Sequence, residues 1–150
     1  MQLADFRICG DPNVIDAKST QPTSGDGLLA QRVNEIYIEG LSVDHNGGHG
    51  INLVDCLEDA RVCDSIMTYN RRAGLNILGA HDIVVNANQF EENNDAVLCI
   101  KVCNLCMNGN NIDDHLRHGV AADGLTCSRE GGELGQFNVQ AGKIGSDLCD

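Results

Sequence analysis

Apolar and polar positions along this chain alternate in short runs that recur at a nearly constant interval. Four segments of equal length, residues 36–53, 60–77, 83–100 and 105–122, align without gaps. Their starting positions give steps of 24, 23 and 22 residues, and all of the change falls in the connection that follows each segment. A repeat of this length indicates one supersecondary unit that is stacked several times.

Within each segment the apolar residues form three groups that occupy the same positions in every copy. The i, i+2 spacing of a pair points both side chains to one face of a strand. The first pair reads Ile36/Ile38, Ala60/Val62, Ile83/Val85 and Leu105/Met107. The second group reads Val43, Met67, Phe90 and Ile112, and the third pair reads Ile51/Leu53, Leu75/Ile77, Leu98/Ile100 and Val120/Ala122. We therefore expect three short strands in each copy.

Two columns of turn residues separate the second and third groups. One reads Asn46, Asn70, Asn93 and His115, and the other reads Gly50, Gly74, Val97 and Gly119. Asn tolerates a left-handed backbone and can hydrogen-bond to its own chain or to the Asn one coil away, while Gly adopts positive φ without penalty. The columns predict turns that repeat in register.

Three strands per copy, with like residues stacked on like, predict an all-β fold. We expect a right-handed single-stranded parallel β-helix, a solenoid of about five to six coils of 22–24 residues. Each coil is too small to bury its own apolar face, so coils stack at a strand spacing of about 4.8 Å. A helical bundle, a sandwich and a leucine-rich repeat are the alternatives. The i, i+2 spacing does not fit a helix and the leucine-rich consensus is absent, so the β-helix is favoured.

The whole chain, residues 1–150, is predicted to form one domain. Residues 36–123 form its regular coils, residues 1–35 an irregular first coil, and residues 124–150 an irregular C-terminal part. A β-helix has open edges at both ends, and no amphipathic cap is recognisable here. The sequence therefore favours a fragment of a longer chain, an adjoining domain, or a homo-oligomer that covers the ends.

Strands are also expected outside the regular coils. Residues 6–8 and 27–30 look like the first and third strands of an earlier coil, with a turn enlarged by residues 16–26. Residues 125–127 and 137–139 could be strands of one more coil.

Charge and composition exclude some classes of partner. The 150 residues include 10 Lys and Arg against 22 Asp and Glu, a formal net charge of −12. Nucleic acid is not expected as a partner, because phosphates require Lys and Arg. We also expect no membrane partner, since no run of about 18 apolar residues and no export signal are recognisable.

The eight cysteines fit either disulfides in an exported protein or free or metal-binding thiols in a cytosolic one. They do not identify the redox compartment. Cys99, Cys103 and Cys106 have a C-x3-C-x2-C spacing, which resembles the cluster-binding loop of radical S-adenosylmethionine enzymes. Because this segment belongs to the repeat, small buried or surface thiols are the favoured interpretation.

Three stretches carry a resemblance to a known family: residues 44–53 (DHNGGHGINL), 69–77 (YNRRAGLNI) and 80–85 (AHDIVV). They resemble the β-helical catalytic module of the bacterial mannuronan (alginate) epimerases and, more loosely, pectate-lyase-like carbohydrate enzymes. The likeness covers residues 36–123. It implies a secreted, extracellular protein that epimerises or cleaves uronic-acid polymers, with calcium as its cofactor and an acidic polysaccharide as its partner.

The resemblance extends to part of the family's site. An Arg-His-Gly turn is matched by residues 117–119, and an Asp at the end of the following strand is matched by Asp123. The family's Tyr-Gly-Phe-Asp-Pro-His motif is replaced here by residues 25–30 (GDGLLA).

Proton abstraction next to a uronate carboxylate needs a charge partner, a base and an acid. The strand after the glycine column offers such groups if its outward side forms a groove. The candidate catalytic residues are His118 as base, Arg117 as carboxylate partner and Asp123, which orients the imidazole or holds a cation. The candidate substrate-binding residues are His49, Arg72, Asp95 and Lys101, of which His49 is an alternative base. A solvated polar face is the alternative interpretation for each of them.

A second polar ribbon offers carboxylates for calcium. Its members are Asp44, Thr68, Glu91 and Asp113, beside His45, Tyr69, Glu92 and Asp114. The EF-hand spacing is absent, so a solvated edge is the alternative.

Two classes of function remain open. One is a polysaccharide-modifying enzyme that acts on uronic-acid polymers as an epimerase or lyase. The other is a non-catalytic β-helix that binds carbohydrate or serves in assembly.

Overall fold

The computed structural model describes residues 1–11 and 25–125 and the strand Phe137–Val139. The strands in chain order are β1 (Gln2–Ala4), β2 (Arg7–Cys9), β3 (Leu28–Gln31), β4 (Tyr37–Glu39), β5 (Ser42–Asp44), β6 (Ile51–Val54), β7 (Arg61–Cys63), β8 (Ile66–Thr68), β9 (Ala73–Leu78), β10 (His81–Asn86), β11 (Gln89–Glu91), β12 (Asp95–Ile100), β13 (Cys103–Asp113), β14 (His118–Asp123) and β15 (Phe137–Val139). The described residues contain strands and turns, and no helix. The predicted all-β class is confirmed.

The strands form three parallel sheets, one strand per sheet in each coil. Sheet A contains β1, β4, β7, β10 and the first part of β13. Sheet B contains β2, β5, β8, β11 and the second part of β13, so the long β13 belongs to both sheets. Sheet C contains β3, β6, β9, β12 and β14. This is the predicted single-stranded parallel solenoid.

Five stacked strands in sheet C are separated by four steps, so the described residues make about four turns. The prediction of about five to six coils is too high. It counted every strand level as a coil and added one coil beyond residue 123. Beyond residue 125 only β15 is described, and it pairs with β13. Residues 126 and 127 of the other predicted strand lie outside the described residues.

The first coil differs from the prediction in its strand assignment. Residues 6–8 were expected to form its first strand, but β2 belongs to the second sheet, where Ile8 pairs with Val43. The first strand is β1, in which Leu3 pairs with Ile38. Residues 16–24 of the predicted enlarged turn lie outside the described residues.

Stacked aliphatic side chains fill the interior, as the columns predict. The inward positions of sheets A and B follow the predicted register and are buried: Ile38, Val62, Val85 and Met107, then Val43, Met67, Phe90 and Ile112. Each coil adds one layer of apolar side chains to a continuous core.

In sheet C the predicted inward pair of β12 is wrong. Val97 and Cys99 pair with Leu75 and Ile77 and are fully buried, so the inward pair is not the predicted Leu98/Ile100. The reason is a one-residue deletion in the turn before β12. From Phe90 to Val97 is 7 positions, whereas Met67 to Leu75 and Ile112 to Val120 are each 8. Coil length therefore changes at this turn as well as in the connection after sheet C.

Four corners of each coil use a left-handed backbone. Every described residue with positive φ falls in one of four columns: Asp5, Gly40, Asp64, Ala87 and Gly109; His45, Tyr69, Glu92 and Asp114; Arg32, Asp55, Gly79, Lys101 and Gly124; and Glu35, Asp59, Asp82 and Asn104. The predicted Asn and Gly columns are not among them, so the expectation of left-handed backbone there is wrong. The αL residue directly precedes each Asn of the column.

The Asn and Gly columns act through side-chain contacts and close approach. Asn46 donates through Nδ2 to Asn70 Oδ1 at 2.8 Å, and Asn70 donates to Asn93 Oδ1 at 2.9 Å, as the Asn-to-Asn stacking predicts. Gly50 is required because an added Cβ would lie 2.6 Å from Gly74 O and 2.8 Å from Asn70 Nδ2. In the coil with the deletion Ala96, not Val97, occupies the glycine position, since Val97 pairs with Leu75.

Candidate functional site

Polar side chains collect where the strands of sheet C begin. Asp95 and His118 open β12 and β14 and are direct lateral partners, and Ala73 opens β9 beside Asp95. His49 lies just before β6, where its Nδ1 accepts a hydrogen bond of 3.1 Å from Ala73 N. We call His49, Arg72, Asp95, Arg117 and His118 the His118 cluster.

Asp95 is the centre of this cluster. Its side chain is only 4% exposed, and its Oδ1 accepts a hydrogen bond of 2.9 Å from His118 Nδ1. The same Oδ1 lies 3.3 Å from Arg117 Nε. The side chains of His118 and Arg117 are 32% and 55% exposed, so both reach solvent from a buried carboxylate. A buried carboxylate is tolerated when it is paired in this way.

The Asp95 contact fixes the tautomer of His118. The carboxylate can only accept, so His118 Nδ1 carries the proton and Nε2 has a free lone pair when the ring is neutral. This is the arrangement of a general base that a third group orients.

His49 has a different environment. It is buried, and burial lowers the pKa of its imidazole, although Asp26 and Asp95 act in the opposite direction. Arg72 lies close enough to lower this pKa further, and its own side chain is exposed. His49 is therefore held neutral, with Nδ1 already occupied by Ala73 N.

Two candidate residues lie away from the cluster. Asp123 is at the opposite end of β14 from His118, five residues along the strand, which is about 16 Å. Lys101 is the left-handed corner residue that follows Ile100, and its N–H donates to Asp123 O at 2.8 Å. Asp123 is thus not placed to orient His118, and Asp95 occupies that role.

Sequence reasoning missed a row of amides beside the cluster. Asn76 Nδ2 donates to Asn52 Oδ1 at 2.8 Å, and Asn52 Nδ2 donates to Asp26 Oδ2 at 2.7 Å. Asp26 also accepts from His49 N at 2.8 Å. The Oδ1 of Asn76 is buried without a hydrogen-bond partner. The recurrence of Asn at positions 52 and 76, one repeat apart, was the available signal.

The carboxylate ribbon has the predicted register in sheet B. Asp44 pairs with Thr68, and Glu91 pairs with Asp113. Asp44 is nonetheless committed to Arg7, whose Nε and Nη2 both lie 2.8 Å from its oxygens. Among the described residues no three carboxylates of the ribbon converge on one point.

A different trio does converge at the start of that ribbon. Cys9 Sγ, an Asp44 carboxylate oxygen and a ring nitrogen of His45 all lie within 4.8 Å of one another. Arg7 holds the pKa of the buried Asp44 carboxyl well below its usual range, with His45 and Cys9 also contributing. A hydrogen bond to the Asp44 carboxylate raises the pKa of the Cys9 thiol.

The C-x3-C-x2-C segment does not form a cluster-binding loop. Cys99 points into the core of sheet C, where burial raises the pKa of its thiol to about 12. Cys103 and Cys106 lie on β13 in sheet A. The six cysteines in the described part of the chain, Cys9, Cys56, Cys63, Cys99, Cys103 and Cys106, are free.

Comparison with known proteins agrees with the fold. No curated protein and no solved structure matches the chain. No helix among the described residues has the length and apolarity needed to cross a membrane. A family model described as a right-handed β-helix region matches residues 10–130, which is most of the chain and includes the regular coils. With its parallel three-sheet solenoid, this chain therefore belongs to the right-handed β-helix family.

Proposed function

We propose that the His118 cluster binds the carboxylates of a uronic-acid polysaccharide and abstracts the proton next to them, as an epimerase or lyase does. The observation that carries the proposal is the hydrogen bond between buried Asp95 and His118 Nδ1. His118 Nε2 is the base in this scheme. Arg117 is the carboxylate partner, because its guanidinium is half exposed beside the same Asp95.

Local charge supports this choice of ligand in a chain of net charge −12. Arg72 and Arg117 both border the cluster, from the turns before β9 and β14, the two strands that flank β12. Asp95 is buried and paired with His118 and Arg117, so a polyanion approaching from solvent meets the two guanidinium groups first. The proposal places the protein outside the cell on the basis of the family resemblance alone.

One observation favours a second candidate, a non-catalytic carbohydrate-binding or structural β-helix. Epimerisation and elimination both need an acid as well as a base. His49 is the other imidazole of the cluster, but it is buried and its Nδ1 accepts from Ala73 N. In this second candidate the cluster binds the carboxylates of the same polysaccharide but does not catalyse a reaction on it.

The two candidates are separated by measuring turnover and binding on the same samples. The chain is incubated with polymannuronate, alginate and pectate, with and without calcium. Proton NMR detects epimerised residues and ultraviolet absorbance detects unsaturated ends. For the enzyme we expect His118→Gln to abolish turnover with little change in binding, and Arg117→Ala to weaken binding as well. For the binding module we expect no turnover, and binding that Arg117→Ala weakens.

His81 provides a matched control. It forms a His–Asp pair of the same 2.9 Å length with Asp82, but on sheet A and with both side chains at least 40% exposed. We expect His81→Gln to leave turnover and binding unchanged. If the folded protein neither binds nor alters any of the three polymers, the enzyme and the carbohydrate-binding module are both wrong, and only a structural β-helix is left.

A further inference from the structure

The trio of Cys9, Asp44 and His45 brings three kinds of metal ligand together. Cys9 is the last residue of β2 and pairs directly with Asp44, the last residue of β5. His45 follows in the left-handed corner, with φ of 57°. The thiol, carboxylate and imidazole therefore meet because two coils stack in register, and none of the three belongs to the His118 cluster.

The surroundings restrict how these groups move. The His45 ring stacks on Tyr69 one coil away, with centroids 5.0 Å apart and planes inclined by 16°. Asp44 is buried and accepts from both Arg7 nitrogens, while Cys9 is exposed and His45 is partly exposed. Arg7 thus restrains the carboxylate and Tyr69 restrains the imidazole, whereas the thiol of Cys9 faces solvent.

We propose that Cys9, Asp44 and His45 bind one divalent transition-metal ion of the zinc class. Thiolate and imidazole ligands select such metals over calcium and magnesium, which take oxygen ligands. Three protein ligands leave one tetrahedral position for water or another external ligand. Binding breaks the Cys9 S–H bond, the sulfur pair forms the bond to the metal, and the proton passes to solvent. His45 binds as the neutral imidazole through the ring nitrogen that carries no proton, and its one N–H proton lies on the other ring nitrogen.

Arg7 becomes the outer partner of the bound carboxylate. Asp44 Oδ1 lies 2.6 Å from His45 Nδ1 and 2.8 Å from Arg7 Nη2, and it exchanges these two contacts for the metal. Asp44 Oδ2 keeps its 2.8 Å contact with Arg7 Nε. Such partners orient ligating carboxylates and tune the metal they bind.

Cobalt(II) is the probe, because a thiolate bound to it gives a sulfur-to-metal charge-transfer band in the near ultraviolet. The reduced full chain is titrated with cobalt chloride and then with zinc chloride. We expect a band that saturates at one cobalt per chain, is removed by equimolar zinc, and persists in a large excess of calcium. Cys9→Ser and His45→Asn should each lose it.

The control is Cys63→Ser, which removes a partly buried thiol of sheet A that lies outside the trio. This variant should keep the full band. Circular dichroism of each variant verifies that the fold is retained, and Cys9→Ser replaces only an exposed sulfur. A wild-type chain without the band, or a folded Cys9→Ser variant that keeps it, overturns the proposal.

Discussion

Single residues in this protein are constrained mainly by the residue one coil away. Asn70 shows this most clearly: its Oδ1 accepts from Asn46, and its Nδ2 donates to Asn93 Oδ1 and to Val43 O. A buried amide with all its partners in neighbouring coils joins three layers of the solenoid. Gly50 is constrained in the same way, by the backbone oxygen of Gly74.

Gly50→Ala tests this constraint. Its Cβ would lie 2.6 Å from Gly74 O, so the coils must separate locally. We expect the free energy of unfolding to fall by about 1–3 kcal/mol, as for other overpacked positions. Urea denaturation measures this directly. Gly25→Ala is the matched control, because an added Cβ there meets nothing within 4 Å. Equal stability of the two variants would contradict the close-approach argument.

Elements in this fold gain stability through ladders that run from coil to coil. A second ladder, which the sequence analysis did not identify, crosses the corner between sheets A and B: Ser65 N–H donates to Asn88 Oδ1, and Asn88 donates to Asn110 Oδ1. The first ladder, formed by Asn46, Asn70 and Asn93, ends differently, because His115 occupies the next position of the column. His115 Nδ1 lies 3.3 Å from Asn93 O, and its Nε2 is buried without a partner.

His115→Asn should extend that ladder by one coil. Burial lowers the pKa of His115, so its folded pKa is below its unfolded value of about 6.5. The unfolded chain then binds more protons, and the stability that depends on neutral His115 is present above about pH 6.5 and is lost as pH falls through the folded pKa.

We expect His115→Asn to raise the free energy of unfolding at neutral pH by about 1 kcal/mol, the net value of a hydrogen bond. We also expect a shallower fall of stability below pH 6.5, to which His49 still contributes. Urea denaturation across pH 5–8 measures both. His81→Asn, at an exposed position, should keep the wild-type decline, and a His115→Asn variant with that same decline would refute the assignment.

The whole molecule combines an apolar tube with an acidic surface. The 22 Asp and Glu outnumber the 10 Lys and Arg. The excess negative charges therefore repel one another across coils that are only a strand spacing apart. Several acidic side chains occupy the corner columns, where the left-handed backbone favours Asp and Asn. Charge thus follows partly from the requirements of the corners.

Salt should therefore stabilise this protein. Raising sodium chloride from about 10 to 150 mM shortens the Debye length from about 30 to 8 Å and screens the repulsion. We expect Tm to rise by about 2–4 °C, which corresponds to roughly 1 kcal/mol for a chain of this size. Differential scanning calorimetry measures it, and potassium chloride should act equally. A fall in Tm would mean that ion pairs such as Arg7–Asp44 outweigh the repulsion.

The sequence by itself determined the repeat, the three strands per coil, the inward columns of sheets A and B and the Asn ladder. It could do so because a stacked coil places like residues at equal intervals, and local periodicity is then a direct record of the fold. The sequence also identified Arg117, His118 and Asp95 as candidates, because they are charged or polar residues near the start of the third strand in their copies of the repeat.

Only the tertiary structure decided the register of β12 and the partners of the polar residues. Residues 96–100 are apolar at every position, so their alternation does not reveal which ones point inward. The one-residue deletion before them places Val97 and Cys99 inside and pairs Asp95 with His118. Cys9 and Asp44 likewise meet only because two coils stack, since contacts between residues 35 positions apart have no local signature in the chain.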